Sequence, residues 1–490
     1  MKKILNKDYI LFGILFLIAV GIGENINIAV SDELWNFQNI YKIYNGYGIY
    51  EGANIIITPL FFYIGNFIFK IFGANFLVFR LYNCILVTIL FFIIYKILKE
   101  LIKNRKISFI ITMLVILYGK FFIISLGANY NTMALIIVLI GIYILITKQI
   151  KNMQLVQGII TGLIFFTKQN IGVYYGLAYF IYLIFTFDKK NEKIKDVCKN
   201  IFKYFLGILL VGSIFLIELI LNNKIYGFID YTILGMSEFS IKNIGIEWNS
   251  LIFFISIFVL NIIVTKFLIK KGSLNEIEVR NLKIFLPFSI ILALWAFPIF
   301  NKGHIFFGII ISVINLLYCV YIMFKDIIKE NRIVKIVYYG LIICLLIFST
   351  SNFLNWYNNI TSDIYQIEYS DPYFGTIINN DQYKDIEEVT SYIKNSEKNT
   401  IILSEKAGLY MIPLNRSNGK FDLPLLGNLG KKGEDGLIEE IKNLKNMQIL
   451  LYTGKGNESN QEPEKAIEYV RNNWTKIDSV NEFDVYIMLN

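Results

Sequence analysis

Apolar stretches of about twenty residues recur along the first 350 positions of this chain, and nothing in the sequence constrains its fold more. A helix needs about 20 mostly apolar residues to cross a bilayer. A backbone in lipid must also satisfy its own hydrogen bonds, which leaves helices or closed barrels. Such stretches lie near residues 9–28, 77–97, 107–126, 132–148, 153–167, 170–187, 201–221, 249–270, 283–300, 304–324 and 334–351. The predicted fold is a polytopic α-helical membrane protein with about eleven spans over residues 1–355. A small extracytoplasmic α/β domain is predicted for 356–490. Only 17% of the residues are charged, against roughly a quarter in a soluble domain. With 16% aromatic residues the chain is no disordered segment either.

Charge gives the orientation. Residues 1–350 carry 33 Lys and Arg against 17 Asp and Glu, whereas 351–490 carry 14 against 21. With the N-terminus in the cytoplasm, the inner loops and helix ends collect 25 basic residues and the outer ones 8. Cytoplasmic loops concentrate Lys and Arg, so the expected localisation is the cell membrane, multi-pass, with the C-terminal domain outside. Segment 52–73 is apolar enough to cross, but crossing would move Lys96, Lys99, Lys103, Arg105 and Lys106 outside. Its Pro59 and Lys70 suit a helix lying on the outer surface or re-entering it. The first span resembles a signal peptide, with Ala29 and Ser31 spaced as a weak cleavage site. Ten further spans favour an uncleaved anchor.

In the C-terminal part, helical spacing over 383–396, 436–445 and 463–474 alternates with strand-like runs at 400–404, 448–452 and 483–489. Gly427-Asn428-Leu429-Gly430-Lys431 lacks phosphate-loop spacing and reads as a turn. The four cysteines form no metal-type or disulfide pattern. No nucleic-acid signature is present.

Charges near a bilayer are costly and default to functional candidates. Candidates on the outer side are Glu24, Asp32, Glu33, Arg80, Lys168, Lys302 and the single histidine, His304. Asp32 heads a stretch in which Leu34, Phe37, Tyr41 and Tyr44 repeat at helical spacing and stop near Gly46. It can act as a helix cap or as a carboxylate base at the membrane surface. Lys168 sits in Thr167-Lys168-Gln169-Asn170, a polar break between two apolar stretches. It either snorkels or binds a phosphate at headgroup depth. Arg80, one turn into the second span, needs a partner; Asp32 or Glu33 could supply a purely structural one. A carboxylate and several cations on one side suit transfer from a phosphate-linked donor, with a base for the acceptor hydroxyl and cations for the departing phosphate.

Asp32-Glu33 in the first outer loop, Gly46, Pro59-Leu60, Phe72-Gly73 and Arg80 follow one another in an order that resembles a known group. That group is the GT-C superfamily of integral membrane glycosyltransferases, in its protein-mannosyltransferase and lipid A aminoarabinose-transferase branch. Thr167-Lys168 resembles the family's threonine-lysine before the sixth span, and His304 stands where a late polar cluster is found. The resemblance covers roughly 1–350. It implies a polyprenyl-phosphate sugar donor, a glycan, lipid or protein acceptor on the outer face, membrane lipids as surroundings, and inverting transfer. Asp32, then Glu33, would be the base; Arg80, Lys168, Lys302 and His304 would hold the donor phosphate. Many members carry a further acid between the third and fourth spans, where this chain reads Gly127-Ala128-Asn129-Tyr130-Asn131. The resemblance therefore fixes neither a second acid nor a divalent metal.

Two rival classes remain at this stage. A transporter would place ionisable residues at mid-membrane, often in repeated halves; Glu218 is the one acid well inside a span, and no such symmetry shows. A polysaccharide polymerase or ligase would share the lipid donor but transfer whole glycans.

Overall fold

The computed structural model describes residues 11–17, 32–53, 55–123, 129–147, 150–186, 194–236, 245–325, 332–361, 368–376, 380–422, 428–453 and 462–488. Most of the first predicted span, Glu24, Ala29, Ser31 and Gly427 lie outside these residues; 11–17 are helical. Helix α1 (Asp32–Tyr44) follows, then α2 (Leu60–Phe72), α3 (Phe76–Ile102), α4 (Arg105–Ile123) and α5 (Tyr130–Thr147). Next come α6 (Met153–Thr167), α7 (Gln169–Thr186), α8 (Ile194–Leu221) and the short α9 (Ile225–Phe228), which continues as a π-turn to Leu234. The membrane part closes with α10 (Trp248–Lys271), α11 (Glu276–Ile291), α12 (Lys302–Phe324) and α13 (Arg332–Thr361).

Five of the described helices, α3, α5, α8, α10 and α12, are long and apolar enough to cross a membrane. Helix α2 is not: thirteen residues rise about 20 Å at 1.5 Å each, short of the hydrocarbon core. It lies against α1 with Phe61, Phe62 and Phe69 inside and Phe67, Ile71 and Phe72 outside. The stretch 283–300 is no single helix. Pro287 lies within α11, which gives way to a 3₁₀ turn at Leu292–Ala296 and then to strand β2 (Ile299–Phe300). β2 pairs in parallel with β1 (Gly245–Ile246).

Two devices bring the helices together. A Cβ on Gly158 would strike the Tyr204 carbonyl and one on Gly207 the Leu155 carbonyl, so α6 and α8 touch backbone to backbone, as small residues allow in membranes. Across α10, α11 and α12, Asn261 donates to Ser289 Oγ at 3.0 Å and Asn315 to Asn261 Oδ1 at 2.8 Å. Such buried polar contacts tie helices that no hydrophobic force separates from lipid.

The C-terminal part is a four-stranded sheet, order β3-β4-β6-β5, from β3 (Asn399–Leu403), β4 (Met447–Tyr452), β5 (Thr475–Val480) and β6 (Phe483–Ile487). β3 and β4 run parallel; the other pairs are antiparallel. Alternate residues point to opposite faces. Ile401, Leu403, Ile449 and Leu451 pack with α16 (Gly433–Lys442) and α17 (Glu464–Asn473). Ile402, Leu450 and Val485 join α14 (Asn380–Asn395) and α15 (Ala407–Met411) in a core continuous with the membrane part. Helix α13 runs through the 355/356 division to Thr361.

Candidate active site

Two consecutive residues on a helix do not face each other, and α1 uses that to send its two leading carboxylates apart. Glu33, 5% exposed, turns inward. Its Oε1 accepts from Arg80 Nε at 2.9 Å and its Oε2 from Arg80 Nη2 at 3.2 Å. Arg80 Nη1 donates to the Gly375 carbonyl at 3.2 Å, and the guanidinium lies 5.8 Å from the Phe76 ring. This is the fork geometry in which Arg binds carboxylate best.

Asp32 turns the other way and stays open to solvent. It stands in the first turn of α1, where the helix dipole favours a negative charge. Among the described residues its carboxylate makes no hydrogen bond. The protein packed around it raises its pKa, and the Lys168 cation opposes that rise.

Lys168 faces this carboxylate from the break between α6 and α7. Its backbone is extended there, φ −155°, after the last turn of α6. Flanking side chains hold the break in place. Thr58 donates to the Phe165 carbonyl at 2.7 Å, and Gln169 Nε2 to the carbonyls of Ile56 at 3.0 Å and Thr232 at 2.9 Å. Lys168 is buried and its Nζ donates to Asn131 Oδ1 at 2.5 Å. The Tyr130 and Trp295 rings lie 5.4 and 5.6 Å from it, close enough for cation–π attraction. Burial lowers its pKa to about 7, against the upward pull of Asp32.

His304 closes the third side. Asn301 caps α12, accepting from the His304 backbone N–H at 3.0 Å, and its Oδ1 lies 2.9 Å from the imidazole Nδ1. His304 lies within electrostatic reach of Lys168. Lys302, two residues earlier on the same helix, is exposed. The structure thus brings Asp32, Lys168 and His304 together and sets Glu33 with Arg80 on the far face of α1.

Three participants carried little sequence signal. Asn131 stands in the five-residue run where an acid is missing, and it is the residue that holds Lys168. Tyr130 and Trp295 look like ordinary aromatic residues of apolar stretches, and only the fold brings them to the cation. Among the described residues no group of three or more His, Cys, Asp or Glu side chains is placed to hold a metal ion.

No curated protein sequence matches the chain. A family model does, described as dolichyl-phosphate-mannose-protein mannosyltransferase, over residues 57–218. The matched third of the chain contains Arg80, Asn131 and Lys168, but neither Asp32 nor His304. Over those residues the protein is similar to the protein mannosyltransferases, membrane glycosyltransferases of the GT-C type.

Proposed function

We propose that this protein transfers a single sugar from a polyprenyl-phosphate donor to an acceptor hydroxyl on the extracytoplasmic face, with inversion. The observation that carries the reading is the open Asp32 carboxylate opposite the buried Lys168 cation, at one end of a membrane-type helical bundle.

The roles follow from charge. The acceptor hydroxyl gives its proton to Asp32 while its oxygen attacks the anomeric carbon. The bond from that carbon to the phosphate oxygen breaks on the opposite side, and the phosphate leaves with the electron pair. Lys168, with His304 near it and Lys302 at the start of the same helix as His304, balances the charge that grows on the phosphate, so no acid is needed for the leaving group. Asp32 also favours the positive charge that develops on the sugar ring. Asn131 fixes the ammonium through a neutral acceptor and leaves its charge for the phosphate. Glu33 and Arg80 act one step back, as a buried pair that orients α1. About eleven spans, an inner N-terminus and an outer C-terminal domain belong to the same reading.

The test is a transfer assay with polyprenyl-phosphate mannose as first probe, extended to a panel of polyprenyl-phosphate sugars. Wild-type protein should release polyprenyl phosphate and form an inverted glycoside. Failure of every lipid-linked donor, with intact folding, would overturn the reading in favour of a transporter or glycan ligase.

A further inference from the structure

A cavity of about 400 Å³ opens between α6, α7, α8 and α11 at the ends opposite Lys168, walled by Tyr179, Leu183, Val197 and Ile201 with Asn200 and Arg280. Its volume is within the range of small-ligand sites. The Arg280 guanidinium donates through Nη2 to the Ile146 carbonyl at 2.8 Å and to Asn281 Oδ1 at 3.3 Å. Its Nε is buried and finds no acceptor among the described residues. An Arg fork at the wall of such a cavity suits a phosphate.

Charge around the mouth has one prevailing sign. Lys151 precedes α6, and Lys195, Lys199 and Lys203 lie on the first turns of α8, against Asp196, Glu276 and Glu278, the last of which accepts from Lys325 Nζ at 2.8 Å. Lys203 Nζ donates to Asn152 Oδ1 at 2.9 Å, which draws the starts of α6 and α8 together. An apolar slot between membrane helices, capped by Arg at a Lys-rich end, is the arrangement that takes anionic headgroups.

We infer that this cavity binds an anionic glycerophospholipid of the leaflet opposite Asp32. Its phosphate would lie on Arg280 and one acyl chain between α7 and α8. The site is separate from the proposed donor site, since α7 runs from Gln169 beside Lys168 to Thr186 at the cavity, and eighteen residues rise about 27 Å.

The experiment uses full-length protein in detergent, with thermal unfolding and native mass spectrometry as readouts. Dioleoylphosphatidylglycerol should raise the midpoint and remain bound, while dioleoylphosphatidylcholine and soluble glycerol phosphate should do neither. Arg280→Gln should weaken binding about tenfold, the scale of one charge-assisted hydrogen bond. If that variant folds poorly for want of the Ile146 contact, Val197→Trp fills the slot without touching a charge and should also block the lipid. Polyprenyl phosphate should stabilise wild type and Arg280→Gln alike. Equal shifts with both phospholipids, or an unchanged shift in both variants, would overturn the site. A polyprenyl-phosphate shift lost with Arg280 would assign the cavity to the carrier lipid and overturn the phospholipid.

Discussion

Glu33 gives both carboxylate oxygens to Arg80 and lies almost wholly inside the protein, whereas Asp32, one residue earlier, keeps an open carboxylate that only senses Lys168 across space. The bases differ in the same way. Arg80 is anchored by a carboxylate, a carbonyl and a ring. Lys168 is anchored by a neutral amide and two rings. A pair whose charges are mutually satisfied contributes to the fold and has little left for a ligand. A pair kept apart, each member still seeking a counter-charge, is prepared for one. The two faces of α1 therefore separate holding from reacting.

The sharpest way to break that contrast is to neutralise each carboxylate alone. Asp32→Asn keeps the shape, and its turnover should fall about 10²–10⁴-fold, the scale for a removed general base, with the thermal midpoint nearly unchanged. Glu33→Gln should do the reverse, losing stability while each folded molecule still turns over. Sugar transfer and unfolding measured on both variants decide it. Asp32→Asn turning over like the parent would end its role as base.

Next in size is Arg80→Ala. It removes the guanidinium that grips Glu33 in the interior, and breaking a buried pair from one side costs about 3–5 kcal/mol. Chemical unfolding in detergent should register that loss, and Arg80→Lys should recover only part of it because the fork is gone. A loss confined to donor KM, with stability intact, would move Arg80 from the scaffold to the phosphate.

Much of this was legible in the sequence because lipid imposes a length and a hydropathy on every crossing. Helices stand at each predicted span that the described residues cover, although Pro287 and the 3₁₀ turn after Ile291 break one of them. The two carboxylates, Arg80, Lys168 and His304 were visible because charge is rare in such a setting. Which carboxylate pairs with Arg80 was not visible, since spacing gives a residue's face only once the neighbouring helix is known. Strand β5 was missed because Lys476, Asp478 and Ser479 face solvent at a sheet edge and leave no apolar run. The docking of the C-terminal part was equally hidden. Lys42 of α1, 4% exposed, forms a buried ion pair with Asp422, 1% exposed, 380 residues on.

That long-range pair extends the comparison to the far end of α1. If Lys42 and Asp422 hold rather than react, either Lys42→Met or Asp422→Leu alone should destabilise, and the double variant should recover a coupling of about 0.5–3 kcal/mol. Turnover per folded molecule should stay level, in contrast to Asp32→Asn. Additive losses would mean that the C-terminal part does not brace α1 through this contact.

The smallest expected effect is a shape in a pH profile, and it tests Lys168 most directly. Both groups stand outside the helical spans and titrate in opposite senses. Burial brings Lys168 down to about 7 in the free protein, so its cation is lost as pH rises through neutrality, and donor capture should weaken with it. The protein packed around Asp32 raises its pKa, so its base form is lost as pH falls, from a higher starting point than an ordinary aspartate. kcat/KM should therefore trace a bell, with an alkaline limb governed by the lysine and an acid limb by the carboxylate, although the limbs belong to the interacting pair. Lys168→Arg keeps the charge at every working pH because guanidinium does not titrate there. The alkaline limb should then flatten while the acid limb survives, and Asp32→Asn should remove the acid limb instead. An unchanged alkaline limb in Lys168→Arg would mean that another group supplies the cation, and Asp32 and Lys168 would no longer form the reacting face of α1.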